Sequence, residues 1–400
     1  MVKSMLKNID WRALFVLIIY PIILIFLIIQ YCSSQTIGMF EIGLLVAGYY
    51  GSNISVGVGL HRLWSHQTFK TNKFVEFILV MTSSGTLQGP VLSWASDHFK
   101  HHTYTDQDKD PHSPLKFENK ILGFLWSHLG WMLIGKNYKQ IDRVTMVKLG
   151  RSNILKWQLK YYWQIALFMN TVIPALVGYL FGGTILAAYA GFLFIGMGRA
   201  IQQHATFCVN SLCHFIGSKK YYKGTAGDIW WMALFLLGEN WHNFHHAFPS
   251  DYRNGAKWYQ LDVHKWIIYI MSKLGLAWDL QCTTETRIQA KMQETHGYLL
   301  EGRKQRLNLL QGKITQLAEH LYTKCSELEN SSISIQSQIK KSFMEIQQSL
   351  KNLAEQLQSS VWLNDKSSER LLKIASKKVK NNERALYKLY NQLDTKYISQ

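Results

Sequence analysis

Residues 13–31 read ALFVLIIYPIILIFLIIQY and contain no charged side chain. A helix needs about 20 mostly apolar residues to cross the hydrocarbon core of a bilayer, so this stretch is predicted to span a membrane. Residues 37–60, 163–181 and 184–205 are also long and mainly apolar. The sequence therefore predicts an all-α integral membrane protein with a core of four transmembrane helices.

Lysine and arginine are distributed unevenly around these four stretches. They are absent from the connections at 33–36 and 182–184, whereas the N-terminus and residues 61–160 are rich in them. Under the positive-inside rule, the basic segments stay in the cytoplasm. We therefore expect a multi-pass protein with both termini and the 61–160 segment on the cytoplasmic side.

The formal net charge is +18. A charge of this size on a soluble protein would favour nucleic acid, because Lys and Arg neutralise phosphates. Beside transmembrane helices, anionic membrane lipids are the better partner, and no nucleic-acid binding is expected. The five cysteines are scattered without a Cys-x-x-Cys motif, which argues against a disulfide framework and a zinc ribbon.

The composition of the chain changes near residue 285, beyond which Gln, Lys, Glu, Ser and Leu dominate and proline is absent. Apolar residues there recur at alternating spacings of four and three, as in a heptad seam. The residues of this seam are Ile339, Phe343, Ile346, Leu350, Leu353 and Leu357. We expect a membrane domain over residues 1–284 and a helical or coiled-coil extension over 285–400. A helix that packs on its own domain would give the same pattern.

Nine of the fifteen histidines fall into four short clusters. Two clusters, at 98–102 and 242–246, have the form His-x-x-His-His, and on a helix these three positions share one face. His61 and His66 are five residues apart, so their rings would converge only if the helix ends or bends between them. His214 stands alone. Two helices with three imidazoles each can surround a pair of metals, and imidazole suits iron or copper, whereas a zinc site is full with four ligands.

A single histidine is more often a hydrogen-bonded core residue than a metal ligand, and that interpretation is kept for the histidines outside the clusters. These are His112, His128, His204, His264, His296 and His320. Two carboxylates lie close to the clusters in sequence, Asp97 and Glu239. We expect each of them to orient an imidazole N–H from behind rather than to bind metal itself.

The segments 59–66 (GLHRLWSH), 97–112, 210–214 (NSLCH) and 239–249 (ENWHNFHHAFP) resemble the acyl-CoA desaturase family of Δ9 type. The resemblance covers about residues 10–280. It implies four membrane helices and a cytosolic helical cap that holds two iron ions. The implied ligands are His61, His66, His98, His101, His102, His214, His242, His245 and His246, with Asn210 reaching one iron through a water.

The same resemblance implies an O2-dependent oxidoreductase that inserts a cis double bond at Δ9 into a saturated acyl chain, with acyl-CoA as the first candidate substrate. Electrons would come from a b-type cytochrome, or from a ferredoxin with its reductase. Trp94 and Thr206 are candidate walls of the substrate tunnel by alignment with the family, and plain packing is the alternative for each.

One departure from the family concerns the substrate headgroup. Where animal members carry polar and basic residues that help to hold CoA, this chain has Gln88-Gly-Pro and, before Asp97, Ser96. An acyl chain on a phospholipid or a carrier protein is therefore an alternative substrate. A lipid or alkane hydroxylase would use the same histidines, and two non-enzymatic alternatives are a metal carrier, which would place histidines inside the membrane helices, and an inactive coiled-coil anchor.

Overall fold

The computed structural model describes residues 9–134 and 141–327 continuously, and isolated positions between 337 and 388. Within these residues the chain is mostly helical, as predicted. The helices in chain order are α1 Trp11–Cys32, α2 Met39–Ile54, α3 Lys73–Gly85, α4 Val91–Tyr104, α5 Lys120–Ile134, α6 Arg143–Leu149, α7 Asn153–Lys160, α8 Tyr162–Gly182, α9 Ile185–Asn210, α10 Leu212–Phe215, α11 Ala233–Leu236, α12 His242–Ala247, α13 Val263–Lys273 and α14 Glu285–Glu327. The strands β1 Lys70–Thr71 and β2 Ala277–Trp278 form one antiparallel pair.

Three helical segments of the described chain are long and apolar enough to cross a membrane: Trp11–Cys32, Tyr162–Gly182 and Ile185–Phe215. They coincide with three of the four predicted spans. The fourth, at 37–60, begins as α2 and continues without a break into a π-helical segment, Ser55–Ser65. The apolar stretch is thus helical, and its continuation toward the C-terminus carries the first histidine pair.

Helices α2 and α9 approach each other closely through glycine. A Cβ atom on Gly48 would lie 2.3 Å from the carbonyl oxygen of Ile195, and one on Gly198 would lie 2.0 Å from the carbonyl oxygen of Leu45. Small residues of this kind let membrane helices pack backbone against backbone. The position of the C-terminal end of α2, and of the histidines beyond it, therefore depends on this contact.

Gly48→Ala is expected to destabilise the protein by about 1–3 kcal/mol, because the added methyl group overlaps the backbone of α9. Gly51→Ala is the matched control on the same helix, since no atom lies within 4 Å of its added Cβ, and alanine favours a helix over glycine. Thermal unfolding in detergent compares the two. Equal midpoints for both variants would contradict the proposed close contact.

Helix α11 is attached to the C-terminal end of α2. The hydroxyl of Tyr49 and the amide of Asn53 both donate hydrogen bonds to the carbonyl oxygen of Phe235, at 2.7 and 2.8 Å. Around this point the side chains of Trp230 and Leu234 are exposed. An exposed apolar surface beside a membrane span is suited to the interface of a bilayer.

The contacts divide the chain into two compact units, Met1–Met292 and Gln293–Gln400. In the first unit, Ile288 at the start of α14 is buried against Tyr221, Phe244 and Phe248. The predicted heptad seam, Ile339 to Leu357, lies outside the described residues, so the coiled coil remains a prediction.

Candidate metal centre

His61 and His66 lie on the same face of the π-helical segment. The backbone N–H of His66 donates to the carbonyl of His61 at 3.1 Å, which is the five-residue spacing of a π-helix. Their ring centroids are 4.9 Å apart. The helix does end here, at Ser65, but the wider π-helical turn explains why a five-residue spacing brings the two rings together.

The two His-x-x-His-His motifs both lie on helices, as predicted, at the end of α4 and along α12. Their members do not stay together, however. His98 and His102 point to one group of imidazoles, while His101 points to another. Helix α12 makes the reverse division: His245 joins the first group, and His242 and His246 join the second.

Helix α12 is only six residues long and is held in place by polar side chains. A carboxylate oxygen of Asp228 accepts hydrogen bonds from the backbone N–H groups of Asn243 and Phe244, at 2.7 and 3.3 Å. The Asn243 side chain donates to the carbonyls of Tyr222 and Ala226 and accepts three backbone N–H groups from residues 220–222. These bonds fix the direction in which the α12 histidines point.

All nine clustered histidines are brought together in two adjoining groups. The first imidazole group consists of His61, His66, His98, His102 and His245; the second consists of His101, His214, His242 and His246. Within each group the candidate ligand nitrogens all lie within 4.8 Å of one another. The groups touch where the rings of His102 and His246 stack, with centroids 4.4 Å apart.

The nitrogen spacings fit metal binding. In the first group the Nε2 atoms of His61 and His245 are 3.0 Å apart, as are those of His102 and His245. In the second group, the Nε2 atoms of His214 and His242 are 3.0 Å apart. Two ligands at about 2.1 Å from one ion and at right angles to each other are separated by about 3.0 Å. Five imidazoles in one group exceed the four ligands of a zinc site, and an all-imidazole donor set suits iron or copper.

Burial favours the neutral form of seven of the clustered imidazoles. Burial, together with the neighbouring imidazoles, holds the pKa of His98, His102 and His245 well below the usual range. The same holds for His66, His101, His242 and His246. A neutral ring keeps one nitrogen lone pair, and only this form can bind a metal.

Glu239 lies behind the first group, next to the ring of His61. Its Oε2 is 2.8 Å from Nδ1 of His61, and its Oε1 is 3.0 Å from Nδ1 of His264. Burial would raise the pKa of Glu239, but the imidazoles and the guanidinium of Arg62, 3.3 Å away, hold it well below its usual range. The carboxylate therefore favours the proton on Nδ1 of His61 and leaves Nε2 free for a metal.

Asp97 takes a different position from Glu239. Its carboxylate faces Lys100 at 3.5 Å and lines a cavity rather than the back of an imidazole. Burial raises the pKa of Asp97 to about 7. The corresponding role in the second group is filled by Asp110, whose Oδ1 is 3.0 Å from Nδ1 of His101.

A cavity of about 820 Å³ reaches the first imidazole group. Trp94, Thr206 and Asn210 all line it, and His98 forms part of its wall. The Trp94 ring stacks on the His98 ring at a centroid distance of 4.9 Å. The remaining lining is mainly apolar and comes from α1, α5, α8 and the Leu87–Pro90 turn.

Two histidines given the core interpretation lie next to the centre. His112 packs on His101 with ring centroids 4.2 Å apart, and it also lines the cavity. His264 contacts Glu239, as described above. His128 and His204 lie apart from both groups and form a pair of their own, with nitrogens 3.3 Å apart.

The comparisons with known proteins agree with this geometry. A model of the fatty acid desaturase family matches residues 38–277, and the chain belongs to this family. It is 37% identical over 264 residues to the probable acyl-CoA desaturase of Schizosaccharomyces pombe, covering 65% of this chain and 53% of that protein. The identity to acyl-CoA desaturase 1 of Saccharomyces cerevisiae is 35% over 264 residues, 65% of this chain and 50% of that protein.

A plant relative extends the range of substrates named among similar proteins. Delta-9 acyl-lipid desaturase 1 of Arabidopsis thaliana is 34% identical over 242 residues, which are 60% of this chain and 74% of that protein. The chain spans about half the length of the two yeast relatives. The resemblance seen in the histidine motifs is thus confirmed at the level of the family.

The metal-free protein is expected to lose stability as the pH falls below about 6.5, the usual pKa of histidine. The folded-state pKa of the buried rings lies below the unfolded-state value, so in this window the unfolded chain binds more protons and acid favours it. Each such ring adds about 1.4 kcal/mol per pH unit to the slope. Thermal unfolding of chelator-treated protein from about pH 8 to about pH 5 measures the effect, and an unchanged midpoint would contradict it.

Proposed function

We propose that this protein is a membrane-bound di-iron desaturase that inserts a cis double bond, at Δ9, into a saturated fatty acyl chain. The observation that carries the proposal is the convergence of nine imidazoles in two adjoining groups beside a largely apolar cavity. Membership of the fatty acid desaturase family supports it, as do the printed names of the relatives.

Each imidazole group would hold one iron ion. The five histidines of the first group supply one ion with nitrogen ligands. The second group has four. Asn210, which lines the cavity at the end of α9, would reach one of the two ions through a water. When bound, the iron pair would supply the activation of dioxygen that removal of hydrogen from an unactivated carbon chain requires.

The residues of this chain position the substrate and exclude water. The stacked pair of Trp94 and His98 forms a rigid part of the cavity wall next to the first imidazole group. Because a saturated chain offers no polar handle, the choice of carbons must come from how the cavity fixes the chain against this wall. Thr206 faces the same cavity, and its hydroxyl accepts a hydrogen bond from Gln202 at 2.6 Å.

The proposed topology has four membrane helices. Helix α2 is the fourth, and it is not among the three segments that are long and apolar enough by themselves. Both termini and the metal centre would then face the cytoplasm, as the distribution of basic residues favours. Residues 1–284 would form the membrane desaturase domain and residues 285–400 a helical or coiled-coil extension.

Acyl-CoA is the proposed substrate, in line with the names of the yeast relatives. An acyl chain on a phospholipid or a carrier protein is the alternative. Ser96 stands where animal members of the family carry a basic residue that contacts the headgroup. Its side chain is buried and accepts a hydrogen bond from the backbone N–H of Asp142 at 2.9 Å. Electrons would come from a b-type cytochrome, or from a ferredoxin with its reductase.

Expression in a host that lacks unsaturated fatty acids, followed by mass spectrometry of the lipids, tests the function directly. The wild-type chain is expected to yield a Δ9 cis product, while His98→Ala and His245→Ala are expected to yield none, because each removes a ligand from the first group. His296→Gln, outside the region matched by the family model, is the control and should retain the product. A hydroxylated chain instead of an unsaturated one would decide for a hydroxylase.

Thr206→Phe is expected to shift the product profile toward shorter acyl chains, because the larger ring occupies part of the cavity. Thr206→Ser keeps the hydroxyl that Gln202 contacts and should leave the profile unchanged. The measurement is the distribution of unsaturated products from a mixture of saturated chains. An identical distribution for wild type and Thr206→Phe would show that the acyl chain does not run past Thr206.

A further inference from the structure

The loop that follows α4 contacts the second imidazole group from behind at two places. After α4 ends at Tyr104, Asp106 adopts a left-handed conformation with φ 67°, which aspartate tolerates better than most residues. Asp110, four residues further on, contacts His101 as described above. Asp106 points elsewhere, to Thr225 in the segment between α10 and α11.

Thr225 connects Asp106 to a second histidine of the group. Its hydroxyl bonds to one carboxylate oxygen of Asp106, and its backbone N–H donates to the other at 2.8 Å. On its other side, the Thr225 Oγ1 is 2.7 Å from Nδ1 of His214. Asp106 therefore contacts His214 only through this hydroxyl.

The direction of these hydrogen bonds follows from the chemistry of the groups. A carboxylate only accepts, so the hydroxyl of Thr225 must donate its proton to Asp106. The oxygen of Thr225 can then only accept from His214, which places the imidazole proton on Nδ1. Nε2 of His214 keeps its lone pair, and this is the atom that lies 3.0 Å from Nε2 of His242.

The carboxylate of Asp106 can approach Thr225 because the neighbouring residue, Gly224, has no side chain. A Cβ atom on Gly224 would lie 2.8 Å from Oδ2 of Asp106 and 2.2 Å from the ring of Tyr222. Glycine at this position therefore lets the carboxylate approach the Thr225 backbone. In the first imidazole group, His61 is oriented by a different carboxylate, that of Glu239.

We propose that Asp106 and Thr225 are positioning residues that fix the tautomer and direction of His214 for the second metal alone. The proposal rests on the di-iron function proposed above and adds that separate carboxylates orient the histidine ligands of the two metals. Partners of this kind typically account for about 10–100-fold in metal affinity. Weakening this one should release the metal of the second group and leave the first in place.

The test measures iron per chain by mass spectrometry of purified, folded protein after equilibration with a competing chelator at which wild type keeps both ions. Thr225→Val removes the hydroxyl at nearly constant shape and is expected to lower the iron content to about half, with about 10–100-fold weaker binding of one ion. The spectroscopic signature of the iron should change from a coupled pair to an isolated ion. Thr225→Ser keeps the hydroxyl and should behave as wild type.

Two results would overturn the proposal: a Thr225→Val protein that keeps both ions and the coupled signature, or one that loses both ions in parallel. Should Thr225→Val fail to fold, Asp106→Asn gives the same comparison, since it weakens the acceptor without changing the shape of the side chain. Wild-type protein without two irons would refute the di-iron function itself, and this outcome is distinct from a failure of the positioning role.

Discussion

Two neutral imidazoles whose Nε2 atoms face each other at about 3.0 Å repel when both carry their proton on Nδ1, and a metal ion between the two lone pairs removes this repulsion. This constraint applies to both imidazole groups, because each holds several Nε2 atoms at such distances. Desolvation prevents the rings from relieving the repulsion by taking up protons, since burial lowers their pKa. A cation is therefore the natural complement of the folded chain, and metal binding and folding must be coupled here.

The architecture meets this constraint by crossing its ligands between two helices. Helix α4 gives two histidines to the first group and one to the second, and α12 does the opposite. Both groups therefore depend on the relative position of the same two helices. Carboxylates behind the histidines orient the rings by accepting their Nδ1 protons. Glu239 acts on His61 and Asp110 on His101 directly, whereas Asp106 acts on a third ring, that of His214, through the hydroxyl of Thr225.

Much of this arrangement could be predicted from the sequence, since hydropathy locates three spans and the spacing of His-x-x-His-His places three rings on one helix face. The division of each motif between two groups could not be predicted. The spacing shows which residues share a helix face, but it does not show which residues of other helices they meet. The π-helical turn at His61 and His66 leaves no clear pattern in the residues. Asp110 and His112 lie in a loop that folds back onto His101, and this tertiary contact cannot be predicted from local sequence. Their closeness in sequence to the second histidine motif was the only indication of it. Asp97, adjacent to that motif in sequence, faces Lys100 instead.

Helix α2 and the π-helical segment form one uninterrupted rod from Met39 to Ser65. Each residue of an α-helix adds about 1.5 Å of rise and about 100° of rotation. A single residue inserted or deleted between Met39 and His61 would therefore turn both imidazoles away from their partners. An exchange of one apolar side chain for another would not. During divergence this rod should accept changes of composition readily and changes of length hardly at all.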